Sequence, residues 1–164
     1  MFYKLHQNNS GGNHDVTDTL CANLIIEANS EEVALAKAEE LGCYWDGVSK
    51  GIDCECCGDR WSRYTDGINL SDLNRSARVY GKTEDKAKSE WIAKYGSYQR
   101  DEEPQTEYLP WSRGYKCEGI VKLRTIEEYA QYEADDNGGW TSPEVRVFYA
   151  DGTVKEFYQR KNLI

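Results

Sequence analysis

The chain has 164 residues and a mass of 18.8 kDa, with 39% apolar and 30% charged side chains and a net charge of −9 at pH 7. This length suits one domain, or one domain with an appendage, and five Trp, twelve Tyr and three Phe argue against a disordered chain. The negative charge disfavours direct binding to nucleic acid or to anionic membranes and favours a partner with a basic face.

The sequence also bears on the compartment. No stretch approaches the roughly 18 consecutive apolar residues that a membrane-spanning helix needs. The first residues, MFYKLHQNNSGG, lack the apolar segment and the cleavage site of a signal peptide. We therefore expect the protein to stay in the cytosol, where its six cysteines are reduced thiols or metal ligands and not a disulfide framework.

The first part of the chain predicts two strands followed by a helix. FYKL (2–5) and TLCANLIIEA (19–28) have the composition of strands. The segment NSEEVALAKAEELG (29–42) predicts a helix, with Asn29 or Ser30 as N-cap, acidic residues in the first turn and a glycine at its end.

A second strand-to-helix unit follows the cysteine-rich segment. ARVY (77–80) predicts a strand, and Thr83 is the expected N-cap of a helix that ends at Gly96. Apolar residues recur at every fourth position of this helix and form one stripe: Ala87, Trp91 and Tyr95. The two units have similar capping residues, which shared capping rules explain as well as an internal duplication would.

The chain continues with a polar, proline-containing connector at 101–110 and a strand at KCEGIVKL (116–123). Thr125 and Glu128 have the spacing of a capping box, which predicts a short helix that ends near Ala134.

The clearest pattern is EVRVFYADGTVKEFY (144–158), in which two alternating runs flank Asp151-Gly152 and predict a hairpin with a type I′ turn. The predicted fold class is therefore α+β, with a mixed or antiparallel sheet, two or three helices, two strand-to-helix units and a C-terminal hairpin. We expect residues 1–100 to form the core, which contains the cysteine loop at 43–61. Residues 101–164 are expected to form an extension packed on the same sheet.

The segment GIDCECCGDRW (51–61) carries three cysteines within four positions. Cys54 and Cys57 have the C-x-x-C spacing of a zinc knuckle, with a glycine directly after. A closed structural zinc site needs four ligands, and the sequence has no second C-x-x-C motif. Cys43 and Cys117 are the predicted remaining ligands, and the alternatives are Cys21, Cys56, His6 and His14.

Two other interpretations of the cysteine loop stay open. It is a turn whose thiols pack or face solvent, or it is a redox or nucleophilic centre. Acidic residues at positions 53, 55 and 59 are expected to raise the pKa of the nearby thiols, which argues against a reactive thiolate. The sequence has two histidines and none of the common catalytic motifs, so we predict that the protein is not an enzyme and has no cofactor unless the cysteine loop binds zinc.

The segment RWSRY (60–64) is the best candidate for a binding surface, because Trp, Tyr and Arg dominate interface hot spots. A tryptophan from the preceding loop is predicted to join it, so that the patch comprises Arg60, Trp61, Arg63, Tyr64 and Trp45. The alternative is that the loop tryptophans cover the ends of the sheet.

The run NNSGG (8–12) and the segment IIEANSEEVALAKAEELGCYWDGVSKGIDCECCGDRW (25–61) resemble a group of small, largely uncharacterised proteins of tailed bacteriophages. In that group a strand and a helix lead into W-D-G or F-D-G and then a D-C-x-C-C-G-D-R-W loop. The resemblance covers about the first 65 residues and brings no catalytic residue with it. It implies a product made inside an infected bacterium.

These observations lead to one functional hypothesis and two alternatives. The chain is predicted to be a non-enzymatic phage accessory or anti-defence factor, which inhibits a host protein with a basic face through an acidic, aromatic-rich surface. The first alternative is a protein that sequesters a nucleotide signal among loop aromatics with Arg60 or Arg63. The second is a zinc-stabilised structural module.

Overall fold

A computed structural model of the chain describes residues 1–136 and 139–160, apart from the side chain of Asp66. Its elements in chain order are β1 (Phe2–His6), β2 (Asn23–Glu27), α1 (Glu31–Leu41), β3 (Asp66–Ile68), β4 (Leu73–Gly81), α2 (Glu84–Tyr95), β5 (Gln105–Leu109), β6 (Gly114–Leu123), α3 (Ile126–Asp136), β7 (Val145–Phe148) and β8 (Val154–Phe157). The described part of the chain thus holds three α-helices and eight strands, which confirms the α+β class.

The chain forms two compact units. Unit 1 contains residues 1–69 and 130–159, and unit 2 contains residues 70–129 with residue 160. The sequence predicts a division near residue 100, with a core at 1–100 and an extension at 101–164. The contacts divide the chain elsewhere because β5 and β6 pair with β4, whereas β7 pairs with β2.

Unit 1 is built on a five-stranded mixed sheet in the order β3-β1-β2-β7-β8. Strands β2 and β7 are parallel, and the other pairs are antiparallel. Leu24 and Ile26 of β2 share a buried cluster with Ala34 and Ala38 of α1, so this helix contributes to the same core as the sheet. Because Ala34 and Ala38 have small side chains, α1 can pack closely against the sheet.

Unit 2 is an antiparallel sheet in the order β4-β6-β5, with α2 packed against it. The predicted stripe of α2 is confirmed, since Ala87, Trp91 and Tyr95 are all fully buried. The indole Nε1 of Trp91 donates a hydrogen bond to the carbonyl of Ala77 at 2.8 Å. Gly119 makes room for this ring, because a Cβ there would lie 2.9 Å from it.

Several local predictions are confirmed in detail. The hydroxyl of Ser30 caps α1 by accepting a hydrogen bond from the backbone N–H of Val33, and that of Thr83 caps α2 in the same way from Lys86. The glycine after α1, Gly42, has φ 111°, the left-handed conformation expected of a helix C-cap.

Two predictions need correction. The polar segment 101–110 is more than a connector, because Gln105–Leu109 forms β5 by pairing with β6. The C-terminal hairpin is present, but its turn is not type I′. A type I′ turn needs positive φ at both central residues, and within 149–153 only Gly152 has it. The chain instead reverses over Tyr149–Gly152, where the N–H of Gly152 donates to the carbonyl of Tyr149.

None of the helices in the described part of the chain combines the length and the apolar composition that crossing a bilayer requires.

Candidate functional site

The cysteine loop (residues 43–61) lies in unit 1 and follows directly from the end of α1. It contains no helix or strand, and its two ends are anchored in the core of the unit by Cys43, Trp45 and Trp61. Trp61 also forms a β-bridge with Gln7, which ties the end of the loop to the segment after β1. Burial therefore fixes both ends of the loop in the core of the unit.

A buried carboxylate holds the two arms of the loop together. The side chain of Asp53 is fully buried and accepts hydrogen bonds from the hydroxyl of Tyr44 and from the backbone N–H of Arg60, both at 2.7 Å. Gly47 packs directly against this carboxylate, since a Cβ at position 47 would lie 2.0 Å from Oδ2 of Asp53. No side chain larger than glycine fits at position 47 without moving the anchor.

Arg60 binds the segment that follows β1. Its guanidinium donates to the side chain of Gln7 at 3.1 Å, to the carbonyl of Ser10 at 2.9 Å and to the carbonyl of Asn13. The Nε atom lies 3.3 Å from a carboxylate oxygen of Asp15. Because buried guanidinium groups need such a set of acceptors, Arg60 acts as a structural anchor of the loop.

The same segment also holds the turn that carries the thiols. The hydroxyl of Ser10 accepts a hydrogen bond from the backbone N–H of Cys54 at 2.9 Å, and the amide of Asn8 donates to the carbonyl of Cys57 at 2.6 Å. Within the turn, the N–H of Gly58 donates to the carbonyl of Cys54, and Gly58 has φ +84°. Both ends of the turn are therefore tied to residues far away in the sequence.

The three thiols of this turn converge. The Sγ atoms of Cys54, Cys56 and Cys57 all lie within 4.8 Å of one another, with 2.8 Å between Cys54 and Cys56 and 3.6 Å between Cys56 and Cys57. Cys56 and Cys57 are exposed, and Cys54 is half-buried. Among the described residues this is the only group of three or more Cys, His or acidic side chains that brings ligand atoms together in this way.

The pKa values of Cys54 and Cys56 diverge. The pKa of Cys54 is lowered to about 7, because its thiolate accepts hydrogen bonds from the thiol of Cys56 and from the backbone N–H groups of Cys56 and Cys57. The pKa of Cys56 is raised to about 11, chiefly because its thiol donates to Cys54. The expectation that nearby acids raise all these pKa values is wrong for Cys54. Asp53 and Asp59 accept hydrogen bonds from groups other than the thiols, and Asp59 accepts from the backbone N–H of Val48.

The ligand set predicted from the sequence does not assemble. Cys54 and Cys57 are close, but Cys43 lies in the core of unit 1, where burial raises its pKa to about 12. Cys117 is a buried residue of β6 in unit 2, and Cys56 takes a place in the group instead. The two histidines are also not members, and His6 bonds through Nδ1 to the side chain of Asn23 at 2.9 Å.

The predicted binding patch divides into a buried part and an exposed part. Trp61, Trp45 and Arg60 are only 1%, 5% and 9% exposed, so assigning them to a contact surface is wrong. The two tryptophans fill the core, and the cation of Arg60 is engaged by protein groups, which also removes it from the proposed nucleotide pocket. Arg63 and Tyr64 do lie on the surface, with 63% of the side chain of Arg63 and 89% of Tyr64 exposed.

Unit 2 carries a second group of exposed aromatic residues that the sequence analysis did not assemble. Tyr80, Tyr108 and Trp111 are all more than half exposed, and the rings of Tyr108 and Tyr115 lie 5.2 Å apart on neighbouring strands. Tyr108 of β5 and Tyr115 of β6 are opposite each other in the pairing of the two strands. This cross-strand neighbourhood can be predicted only once residues 105–109 are recognised as a strand.

The charge is distributed unevenly. Residues 1–69 and 130–159 of unit 1 carry 18 acidic and seven basic side chains, a balance of −11. Residues 70–129 of unit 2 carry eleven of each sign. The negative charge of the protein therefore belongs to the unit that contains the cysteine loop, Arg63 and Tyr64.

A comparison with family models matches residues 1–109 to the family described as Domain of unknown function (DUF7296). The match covers well over half of the chain, so the chain belongs to this family. It includes the whole cysteine loop and Tyr64, and it ends at the last residue of β5. Comparisons with curated proteins and with solved structures found no match.

Proposed function

We propose that this member of the DUF7296 family is a non-enzymatic binding protein, which is made in the cytoplasm of an infected bacterium and inhibits a host or defence protein there. The observation that carries the proposal is the 89% exposure of Tyr64 on a unit with a charge balance of −11. The resemblance of the first 65 residues to bacteriophage proteins supports the setting.

The proposed contact region is the Tyr64 surface, which we define as Glu31, Asp46, Arg63, Tyr64 and Thr65. Arg63 lies 3.5 Å from the carboxylate of Asp46, and the hydroxyl of Thr65 donates to Glu31 at 3.0 Å. The backbone N–H of Tyr64 donates to the hydroxyl of Ser62. The backbone of the tyrosine is thus held from both sides while its ring projects into solvent.

The chemistry of this surface suits recognition of a basic protein. A tyrosine ring supplies a large contact area for the loss of only two side-chain torsions, and Tyr and Arg are among the residues enriched at hot spots. The surrounding carboxylates attract a positively charged partner and accelerate encounter with it. The partner we propose is therefore a protein with a basic face, and neither nucleic acid nor a membrane.

The test uses the full chain as bait in bacterial lysate, followed by affinity measurements with the purified partner. We expect Tyr64→Ala to weaken binding at least tenfold, the loss typical of a hot spot of about 2 kcal/mol. Tyr108→Ala is the matched control, because Tyr108 is also an exposed tyrosine but belongs to unit 2. Binding that survives Tyr64→Ala and is lost with Tyr108→Ala would move the contact surface to unit 2.

Salt provides a second readout on the same complex. If acidic side chains steer the partner, the association rate falls as ionic strength rises, and Glu31→Gln lowers the rate at low salt. An association rate that does not depend on salt would contradict the basic-partner assignment.

A further inference from the structure

The six cysteines of the chain fall into two classes. Cys21, Cys43 and Cys117 are buried and pack as small apolar side chains. Cys54, Cys56 and Cys57 are gathered on one turn at the surface, where packing makes no use of their sulfur atoms. A surface turn on which three thiols converge, two of them exposed and one half-buried, needs an explanation other than stability of the core.

The separations of the three sulfurs suit a shared metal ion. Tetrahedral zinc with Zn–S bonds of about 2.3 Å places its ligand sulfurs roughly 3.8 Å apart. The observed Sγ separations of 2.8 Å and 3.6 Å both lie below this value, and the third separation is at most 4.8 Å. Rotation about the side-chain torsions of the exposed Cys56 and Cys57 changes both measured separations, since each involves Cys56.

The turn is also pre-organised. The N–H groups of Cys57 and Gly58 both donate to the carbonyl of Cys54, so the turn is closed by its own backbone. From outside, Ser10 and Asn8 hold its two ends. Ligands that are already gathered lose less conformational freedom when a metal binds.

We propose that the cysteine turn (residues 54–58) binds one Zn²⁺ ion through the Sγ atoms of Cys54, Cys56 and Cys57, with water or a partner's side chain in the fourth position. This site differs from the closed four-cysteine site expected from the sequence, because Cys56 replaces the distant cysteines and one position stays open. It goes beyond the proposed function and does not depend on it, since binding of the metal requires only this chain.

The choice of Zn²⁺ follows from ligand type and charge. Thiolates select borderline and soft ions such as Zn²⁺ and Cu(I) over Mg²⁺ or Ca²⁺. Three thiolates on a turn that carries Glu55 and is followed by Asp59 concentrate negative charge, and a divalent ion offsets more of it than a monovalent one. We therefore assign the site to the divalent ion.

The test is a titration of the reduced, metal-free full chain with Zn²⁺ alone, followed by elemental analysis after gel filtration. We expect about one equivalent per chain. Each of Cys54→Ser, Cys56→Ser and Cys57→Ser should weaken binding by at least tenfold. Co²⁺ bound in place of Zn²⁺ should show thiolate charge-transfer absorption, which these variants lose. Zinc should also protect the same three residues from alkylation, as read by mass spectrometry.

Two variants serve as controls. Glu55→Gln keeps all three thiols in the same turn and should retain stoichiometric zinc, and Cys117→Ser removes a thiol from unit 2 and should do the same. Circular dichroism of every variant shows that loss of metal is not loss of fold. The proposal is overturned if the reduced wild-type chain holds no zinc, if the three serine variants bind as the wild type does, or if Cys117→Ser loses as much zinc as Cys54→Ser.

Discussion

Unit 2 places one helix on a three-stranded antiparallel sheet, and its buried residues follow the periods of those elements. Unit 1 instead holds two long irregular segments, residues 7–22 and 43–61, in place through buried polar side chains such as Asp53 and Arg60. Unit 1 is also strongly acidic, whereas the main segment of unit 2 is neutral. Unit 2 is thus stabilised mainly by packing of regular elements, whereas the irregular segments of unit 1 are held by buried polar side chains. The candidate site lies in one of these irregular segments.

The largest expected effect comes from removing a buried tryptophan. Trp91→Ala in unit 2 and Trp61→Ala in unit 1 should each lower the free energy of unfolding by about 3–5 kcal/mol, because both rings are buried in a core. Trp111→Ala is the control. This residue is 79% exposed, and the loss should stay below about 0.5 kcal/mol. Denaturant unfolding measures the free energy of unfolding of all three variants. If Trp61→Ala is as stable as the wild type, the assignment of Trp61 to the core is wrong.

The next largest effect on stability is expected from a comparison of two Asp–Arg pairs of unit 1, one buried and one exposed. Arg60 and Asp53 are 3.7 Å apart and buried, while Arg63 and Asp46 are 3.5 Å apart and exposed. Asp53→Ala should cost about 3 kcal/mol, because it leaves the Arg60 cation without its buried partner, and Asp46→Ala less than about 1 kcal/mol. Hydrogen exchange resolved by peptide should show the loss in unit 1. Equal effects of the two variants would contradict the anchoring role of Asp53.

A smaller effect should appear as a pH dependence in unit 2. Hydrogen bonds from Arg78, Lys116 and Ser76 lower the pKa of Glu118 from 4.5 to about 2. A lowered folded-state pKa contributes stability above pH 4.5 that is lost as the pH falls towards 2. Glu118→Gln should therefore lower the unfolding free energy near pH 7 by roughly 1 kcal/mol, a value limited by solvent screening, and the difference should vanish near pH 2.

Glu103→Gln is the matched control for that measurement, since Glu103 is largely exposed and pairs with Arg100 on the same unit. Its unfolding free energy should track that of the wild type across the acid range. A difference between wild type and Glu118→Gln that persists at pH 2 would show that the substitution acts through packing and not through the charge.

The smallest expected effect is that of salt on the acidic unit. Because the like charges of unit 1 repel one another, raising the ionic strength to about 0.15 M should stabilise unit 1 by a few tenths of a kcal/mol relative to unit 2. Hydrogen exchange at low and physiological salt measures this. Equal stabilisation of both units would mean that the acids of unit 1 are already neutralised by local pairing.

The elements that sequence reasoning placed well are those that depend on neighbours in the chain. Ser30 and Thr83 cap their helices through residues three positions later, and the stripe of α2 follows the helical period. Strand β5 was missed because its sequence, QTEYL, is polar and becomes a strand by pairing with β6. Propensity alone does not identify such an edge strand.

The candidate site shows the same division. The spacing of Cys54 and Cys57 predicts metal binding from local sequence, and two residues of the predicted patch, Arg63 and Tyr64, are exposed. The membership of Cys56 and the burial of Trp61 could not be read from spacing. Both features depend on contacts of the cysteine loop with the segment after β1, namely the hydrogen bond from Cys54 to Ser10 and the β-bridge between Trp61 and Gln7.

The amino-acid sequence alone settles the helix ends, the apolar stripe of α2 and the pairing of Cys54 with Cys57 on one turn, since these follow from interactions over a few residues. The assignment of strands to two sheets, the burial of Arg60 and the separation of acidic from neutral surface appear only in the folded chain. Arg60 bonds to Gln7, 53 positions away, and to Ser10, 50 positions away. Contacts across such distances depend on the whole fold, and no local pattern encodes them.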